Sequence, residues 1–207
     1  MARKTIQLIA LAFADFHLNN WKEGNEGGKR TTAQIKQIER LQKRATKKNV
    51  PLLFAGDLLH NPKSITNGLL DKLLESLTHN NIYAISGNHD QAGRNTIEKP
   101  ASSYITSLAK KGLLTSMDFN HVEFPEFHLY GVPYLHRNAG FEKYVRAMRP
   151  QSPSILMIHT DLPGAQDTTG YEIDEHDLKS LKMFKRFDLV LCGHIHKSQR
   201  LFWNVQM

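Results

Sequence analysis

The chain has 207 residues, 40% of them hydrophobic, which is enough to bury a sizeable core in one domain without covalent cross-links. Its single cysteine, Cys192, excludes an intrachain disulfide and is typical of a reducing compartment. The formal net charge of +7 favours a polyanion partner such as nucleic acid, although many basic proteins bind none.

The first predicted element is a buried strand, Ile6–Ala14. This apolar run follows Arg3 and Lys4 and loosely resembles a signal peptide, but it is short and Gln7 interrupts it. No segment approaches the ~18 consecutive apolar residues that a membrane helix needs. We therefore expect no membrane association and a cytoplasmic protein, in the host cytoplasm if a phage encodes it.

Beyond this strand, amphipathic segments alternate with short apolar runs, which predicts a layered α/β domain. A polar, glycine-rich loop, Asn19–Gly28, comes first. The predicted helices are Thr31–Lys48, Ile65–Thr78, Tyr104–Lys111, Phe141–Met148 and Asp174–Lys182. The predicted strands are Pro51–Ala55, Ile82–Ile85, Val122–Tyr130 with a break at Pro125, Ser154–Ile158, Leu189–Cys192 and Gln199–Val205.

Five short segments share one design, in which an apolar strand ends in Asp, Asn or His. They are Asp15-Phe16-His17, Gly56-Asp57-Leu58-Leu59-His60, Gly87-Asn88-His89-Asp90, His159 and Gly193-His194-Ile195-His196. Ligands bind outside the carboxyl ends of strands in open α/β sheets, so the five ends should converge on one place. Each motif also occurs singly in ordinary turns, but the ordered set is hard to reach by chance.

The residue types in these motifs predict a metal centre. Carboxylate, imidazole and amide-oxygen ligands together suit Mn, Fe, Zn or Mg. Seven candidate ligands exceed one closed tetrahedral site and suit two adjacent ions that share a carboxylate. Two ions about 3.5–4 Å apart can hold the attacking and leaving oxygens of an in-line phosphoryl displacement. The seven candidates are Asp15, His17, Asp57, Asn88, His159, His194 and His196.

This ordered set resembles the calcineurin-like metallophosphoesterase superfamily, and it runs from Asp15 to His196, nearly the whole chain. The resemblance implies an α/β fold with a central β-sandwich flanked by helices. It also implies two divalent metal ions, with Mn²⁺ expected first and Mg²⁺, Fe²⁺ and Zn²⁺ as alternatives.

The resemblance assigns a role to each matching residue. Asp15, His17 and His196 would hold the first metal, and Asp57 would bridge both. The second metal would be completed by Asn88, His159 and His194. His89 would stand near the scissile phosphate, as transition-state stabiliser or general acid, and Asp90 would orient His89.

A narrower resemblance, to the SbcD/Mre11 nucleases of bacteria and phages, rests on the Gly56–His60 motif and the Asn61–Ser64 segment that follows it. It implies a DNA exonuclease or endonuclease acting in repair, recombination or phage DNA processing, with an SbcC/Rad50-like ATPase as partner. A homodimer is a further expectation. His60 would contact DNA, support the metal site or simply cap a turn.

Basic residues give a second set of candidate DNA contacts. Lys43, Arg44 and Lys47 lie on the helix predicted after the first metal loop, whose mouth this helix could flank, and a solvated helix face is the alternative. The loop residues Trp21, Lys22, Lys29 and Arg30 would contact a phosphate backbone or remain solvated.

The chain departs from the family pattern at two places. No role can be assigned to Thr160–Gly164, which follows His159, and only eleven residues follow His196. We expect one domain over residues 1–207 that lacks its last strands and any capping domain. A small-molecule phosphodiesterase or protein phosphatase on the same site, or a non-catalytic scaffold, stays open as an alternative function.

Overall fold

The computed structural model describes residues 7–20, 27–61, 63, 65–78, 81–136, 140–163, 165, 181–196, 198, 200–202 and 205–206. Trp21, Lys22 and most of the predicted helix Asp174–Lys182 lie outside this part of the chain. Within it, the main elements follow the predicted order, with ends that shift by a few residues.

The first sheet is built from the parallel pattern that the buried apolar runs predict. It contains β1 (Leu11–Phe13), β2 (Leu52–Ala55), β3 (Ile82–Ile85) and β4 (Thr115–Ser116), which pair in that order. All three pairings are parallel, so the carboxyl ends of these strands lie at one edge. The two-residue strand β4 was too short for its sequence to predict.

Three helices cover the outer face of this sheet: α1 (Gly27–Lys48), α2 (Asn67–Ser76) and α3 (Tyr104–Lys110). The α1 helix starts four residues before its predicted first residue. The hydroxyl of Thr66 caps α2 by accepting a hydrogen bond from the backbone N–H of Leu69. The apolar faces of the three helices pack with β2 in one core cluster.

The second sheet carries the C-terminal half of the described chain. Its strands are β5 (His121–Glu123), β6 (His128–Val132), β7 (Ser154–His159), β8 (Leu189–Gly193), β9 (Arg200–Phe202) and β10 (Val205–Gln206). Their order is β5-β6-β7-β8-β10-β9, with β6, β7, β8 and β10 parallel and the two outer strands antiparallel. The break predicted at Pro125 lies in the turn between the antiparallel strands β5 and β6.

The outer face of the second sheet is covered by α4 (Phe141–Ala147) and by a short 3₁₀ helix, Leu181–Arg186. Side chains from both segments pack onto this sheet in a second core cluster. Among the described residues, no helix is long and apolar enough to cross a membrane.

The two sheets face each other across a third core cluster. Side chains alternate along each strand, so Leu53 of β2 and Met157 of β7 point between the sheets, while Phe54 and Leu156 point to the helices. The predicted α/β fold, a central β-sandwich flanked by helices, is confirmed. Its central strands end side by side, which brings residues of both sheets to one edge.

Candidate metal centre

The backbone at this edge is strained where the motifs place their polar residues. Asp15, His17, Asp57 and His194 have positive φ angles of 53°, 48°, 61° and 103°. Residues other than glycine rarely adopt such angles, and each instance costs about 1–3 kcal/mol. Four of the seven candidate ligands thus sit in conformations that the surrounding structure must impose, a pattern that clusters at functional sites.

Two motif glycines are required because neighbouring side chains approach their Cα atoms closely. A Cβ on Gly87 would collide with the Asp57 carboxylate. A Cβ on Gly56, where φ is +93°, would collide with the His159 imidazole. The glycines therefore let β2, β3 and β7 deliver their polar residues into one small space.

The first group of candidate ligands comes from β1 and from the loop after β8. Asp15, His17 and His196 each place one ligand atom within 4.8 Å of the others. The Nε2 atoms of His17 and His196 are 2.8 Å apart, and Nε2 of His196 is 4.0 Å from Asp15 Oδ1. The Asp15 carboxylate also accepts a hydrogen bond from the backbone N–H of His194, at 2.9 Å, which ties the first motif to the last.

The second group lies beside the first. Asp57, His159 and His194 likewise bring their ligand atoms within 4.8 Å of one another. Asn88 joins them, because its Oδ1 is 3.1 Å from Nε2 of His159 and 3.1 Å from Nδ1 of His194. These are the four residues that the resemblance to the metallophosphoesterases implies around the second metal.

Asp57 lies between the two groups. Its Oδ2 is 3.2 Å from Nε2 of His159 in the second group and 3.7 Å from Nε2 of His17 in the first. Its Oδ1 accepts a hydrogen bond from the backbone N–H of His89 at 2.9 Å. Because the carboxylate lies between the two groups, it takes the position that a bridging ligand needs. It is 1% exposed. That these seven side chains bind metal stays a prediction.

The candidate ligand atoms suit a cation because several of them are hydrogen-bond acceptors that face one another. Nδ1 of His159 donates a hydrogen bond to the carbonyl of Ala55, at 2.8 Å, so a neutral His159 has no proton on Nε2. Three acceptor atoms then face one another: Nε2 of His159, Oδ2 of Asp57 and Oδ1 of Asn88. Nδ1 of His17 is buried and has no hydrogen-bond partner among the described residues. A divalent ion would satisfy the clustered acceptors.

Burial and charge shift the pKa values in the same space. Burial lowers the pKa of His17 to about 4, which leaves its imidazole neutral and able to act as a ligand. Burial would raise the pKa of Asp57, but the hydrogen bond and charge of His159 lower it below its ordinary value. Burial would lower the pKa of His159, but Asp57 raises it. A metal ion would take the place of the proton that this pair would otherwise share.

A cluster of three imidazoles stands at the mouth of the site. The rings of His60 and His89 are stacked, with centroids 5.3 Å apart, and both contact the edge or face of His17. Nδ1 of His89 donates to the backbone carbonyl of His60, which fixes the His89 ring and leaves Nε2 for another partner. His60 therefore lies beside the candidate catalytic histidine, and its backbone positions that residue.

The contacts of Asp90 differ from the predicted role of orienting His89. Its carboxylate accepts hydrogen bonds from the backbone N–H groups of Asp57, Leu59 and Gly87, at 2.9, 3.0 and 3.0 Å. It is fully buried, and this burial raises its pKa to about 7. Asp90 thus fixes the loop that carries Asp57, whereas the carbonyl of His60 orients His89. The Gly87–Asp90 motif identified Asp90 as a site residue but did not indicate which backbone N–H groups would donate to it.

The basic residues of α1 lie at two different distances from the site. The helix begins beside the first metal loop, where Thr31 donates to the carbonyl of Asn19 and Gln34 donates to the carbonyl of Phe16. It ends beside the start of β2, at the opposite edge of the sheet. At 1.5 Å per residue, Arg44 is about 20 Å along the axis from Arg30. Lys43, Arg44 and Lys47 are therefore exposed but remote from the mouth.

One residue near the site, Asp161, has no role in the prediction made from the sequence. Oδ1 of Asp161 is 3.3 Å from Nε2 of His194, a contact that the sequence did not indicate. Asp161 follows a buried strand and stands two residues from His159, which is the same strand-end pattern that identified the other motifs. That pattern was available as a signal, but the partner of Asp161 depends on how two separate strands meet.

The fold and the two groups of ligand atoms together are typical of metal-dependent phosphoester hydrolases. A family model described as calcineurin-like phosphoesterase matches residues 10–198, and the chain belongs to this family. The predicted superfamily is thereby confirmed.

Among solved structures, the chain is similar to one described as the crystal structure of Pseudomonas putida nuclease MPE, at 22% identity and with a TM-score of 0.36. The match covers 71% of this chain and 58% of that chain, so this chain spans less than two thirds of the length of that nuclease. No curated protein matches the sequence.

Proposed function

We propose that this protein is a two-metal phosphodiesterase that hydrolyses DNA, as an SbcD/Mre11-type nuclease does. The observation that carries the proposal is the position of His60 and His89. The ring of His60, the last residue of the Gly56–His60 motif, stacks on the ring of His89, the candidate general acid. The backbone N–H of His89 donates to Asp57, which lies between the two ligand groups. A phosphodiester at the two metals would meet both rings.

The chain's own residues divide the reaction among them. When bound, two divalent ions supply Lewis acidity to the phosphoryl oxygens and to the attacking water. Asp57 holds the two ligand groups together, and the hydrogen bond from the backbone of His89 to Asp57 fixes where the His89 ring stands. Because Nδ1 of His89 keeps its proton on the His60 carbonyl, Nε2 carries a proton only when the ring is the doubly protonated imidazolium. In that form His89 can donate the Nε2 proton to the leaving oxygen and return to the neutral ring.

The charge of the molecule supports a nucleic acid as the substrate. The α1 helix carries eight basic residues and one acidic residue, and the whole chain has a formal net charge of +7. Such a helix offers a long strip of phosphate contacts that starts at the metal loop and runs away from it. A small phosphorylated metabolite bound at the metal centre would be too short to contact the distant end of this strip. Action in DNA repair, recombination or phage DNA processing, an SbcC/Rad50-like ATPase partner and a homodimer belong to the same proposal.

The test is to incubate the protein with Mn²⁺ and labelled single-stranded and double-stranded DNA, and in parallel with a chromogenic diester and a chromogenic monoester. We expect cleavage of DNA and of the diester, with little turnover of the monoester. The Asp57→Asn variant controls for contaminating nucleases and should be inactive on every substrate. Turnover of the monoester or the small diester without cleavage of DNA would replace the nuclease proposal by a phosphatase or small-molecule phosphodiesterase.

A further inference from the structure

Asp161 contacts a candidate metal ligand from outside the ligand group. It follows β7 by two residues, and its Oδ1 lies 3.3 Å from Nε2 of His194. The side chains of Asp161 and His194 are 32% and 22% exposed, so the pair lies at the rim of the site. The opposite nitrogen of the same ring, Nδ1, faces the second ligand group at 3.1 Å from Asn88 Oδ1.

The contact determines which nitrogen of His194 carries the proton. A carboxylate can only accept hydrogen bonds, so Asp161 favours the tautomer of His194 with the proton on Nε2. Nδ1 then presents a lone pair to the space that it shares with Asn88, Asp57 and His159. This is the form of histidine that binds a cation, and an outer carboxylate of this kind also makes the imidazole a stronger donor to a metal.

His194 needs such support because its backbone alone does not hold the ring in place. The residue has a φ of 103°, and its backbone N–H is bonded to Asp15 in the other ligand group. Its side chain is partly exposed, and the rings of Tyr134 and His159 pack against it with centroids 5.7 and 5.1 Å away, while Asp161 contacts Nε2. Ring packing does not select a tautomer, so without the carboxylate the proton could move to Nδ1 and face the second group.

We infer that Asp161 is a positioning residue for the second metal ion, an inference that rests on the proposed two-metal centre. It keeps Nδ1 of His194 unprotonated and directed at the group of Asp57, Asn88 and His159. It acts on that ion and not on the ion that Asp15, His17 and His196 hold. A plain surface ion pair would instead affect stability slightly and leave both metal affinities unchanged.

The inference is tested by titrating Mn²⁺ into metal-free protein in a calorimeter, with wild type, Asp161→Asn and Asp161→Ala. We expect two sites in the wild type. In Asp161→Ala the affinity of one site should fall about 10–100-fold, the usual effect of losing an outer ligand partner, while the other changes less than about twofold. Asp161→Asn, which can still accept a hydrogen bond, should fall between the two proteins.

Glu123→Gln is the matched control, because Glu123 pairs with His128 at 3.9 Å on the second sheet, outside the ligand groups. It should change neither metal affinity. Thermal unfolding of the metal-free proteins separates positioning from folding, and all variants should unfold within a few degrees of wild type. Catalytic rate should recover in Asp161→Ala when Mn²⁺ is raised to saturate the weakened site.

The outcomes distinguish this inference from the function on which it rests. If wild type binds two ions and Asp161→Ala binds both as tightly, only the role of Asp161 is wrong. Equal loss at both sites together with a large drop in thermal stability would show a structural role and would also overturn the inference. Wild type that binds fewer than two ions would refute the two-metal centre itself.

Discussion

Nε2 of His89 is the atom that the proposed reaction uses most directly, because the other polar atoms of the residue make hydrogen bonds that fix the position of the ring. The backbone N–H is bonded to Asp57, and Nδ1 is bonded to the carbonyl of His60. His89 is not part of the two groups that carry the seven candidate ligands, but with His17 and His60 it forms a third group whose ligand atoms lie within 4.8 Å of one another. The proposed reaction assigns His89 to the leaving oxygen and not to a metal, so its function should be separable from metal binding.

We predict that His89→Ala lowers kcat by about 10²–10⁴-fold, the range for loss of a general acid, while the protein keeps nearly all its metal. Metal content by mass spectrometry and turnover of the chromogenic diester measure the two effects. Asp57→Asn is the comparison variant and should weaken both metal sites. Loss of both ions in His89→Ala would show that His89 is a ligand and that its assigned role is wrong.

Asp118 is a half-buried carboxylate, apart from the ligand groups, whose titration should be visible in stability. Its oxygens accept hydrogen bonds from the backbone N–H and the hydroxyl of Ser86, at 2.8 and 2.6 Å, directly before the Gly87 turn. Burial raises its pKa to about 6, although the Ser86 hydrogen bonds oppose this rise. The folded protein therefore binds the Asp118 proton more tightly than the unfolded chain, whose ordinary value is 3.8.

A raised carboxyl pKa stabilises the fold at low pH, and this contribution is lost as the pH rises from about 4 to about 6. Asp118→Asn cannot titrate and should lack the loss. We predict that the free energy of unfolding of the wild type falls by about 2 kcal/mol relative to the variant between pH 4.5 and 6.5, at 1.36 kcal/mol per pKa unit. Urea unfolding of metal-free protein measures it. A constant difference across this range would mean that Asp118 titrates near its ordinary value.

At the scale of elements, α1 extends from the candidate metal centre to a distant part of the protein surface. Its first turns touch the loop of Asp15 and His17, and its last turns lie about 20 Å away along the axis. A strand of nucleic acid would need about six nucleotides to span this distance at 3.4 Å per phosphate. The contribution of the far end should therefore depend on substrate length.

We predict that replacing Lys43, Arg44 and Lys47 with Ala weakens binding of long oligonucleotides. The salt slope of log K should fall by about one for each phosphate that the variant no longer neutralises. Binding of oligonucleotides shorter than about six nucleotides and hydrolysis of the chromogenic diester should not change. Fluorescence anisotropy at several salt concentrations measures the slope.

The control for this set replaces Lys110, Lys111 and Lys185, which are exposed and remove the same charge from other elements. It should reduce affinity much less than the α1 set does. Equal effects of the two sets would mean that net charge, and not the α1 face, determines binding. No effect of either would leave the α1 face as a solvated surface.

The elements also show what local sequence could predict. The run Ile82–Ile85 matched its strand residue for residue, because a short apolar run stopped by polar residues leaves little choice. The break predicted at Pro125 falls between β5 and β6. The two-residue β4, in contrast, depends on pairing with β3, which lies far from it in the sequence, and local periodicity does not encode this pairing. The start of α1 at Gly27 lies in a glycine-rich segment whose composition favours a loop.

At the scale of the whole molecule, the candidate site belongs to neither sheet alone. β1, β2 and β3 of the first sheet bring Asp15, Asp57 and Asn88, and β7 and β8 of the second bring His159 and His194. The hydrogen bonds from His159 to Ala55 and from His194 to Asp15 join the two sheets at this edge. The site should therefore be intact only when the sandwich is assembled.

This assembly explains which parts of the site the sequence could predict. The strand-end rule brought five motifs to one edge because it needs only the direction of each strand. The partners of Asp90 and Asp161 needed the separation of the strands and the rotation of each side chain, which no motif specifies. That is why the motifs indicated neither the backbone partners of Asp90 nor the contact of Asp161 with His194.

The most direct test of the central claim is a crystal structure of the protein soaked in Mn²⁺, with anomalous scattering to locate the metal. We predict two peaks about 3.5–4 Å apart, with Asp57 bound to both. Asp15, His17 and His196 should surround one peak, and Asn88, His159 and His194 the other. A single peak, or two peaks that Asp57 does not bridge, would contradict the two-metal account.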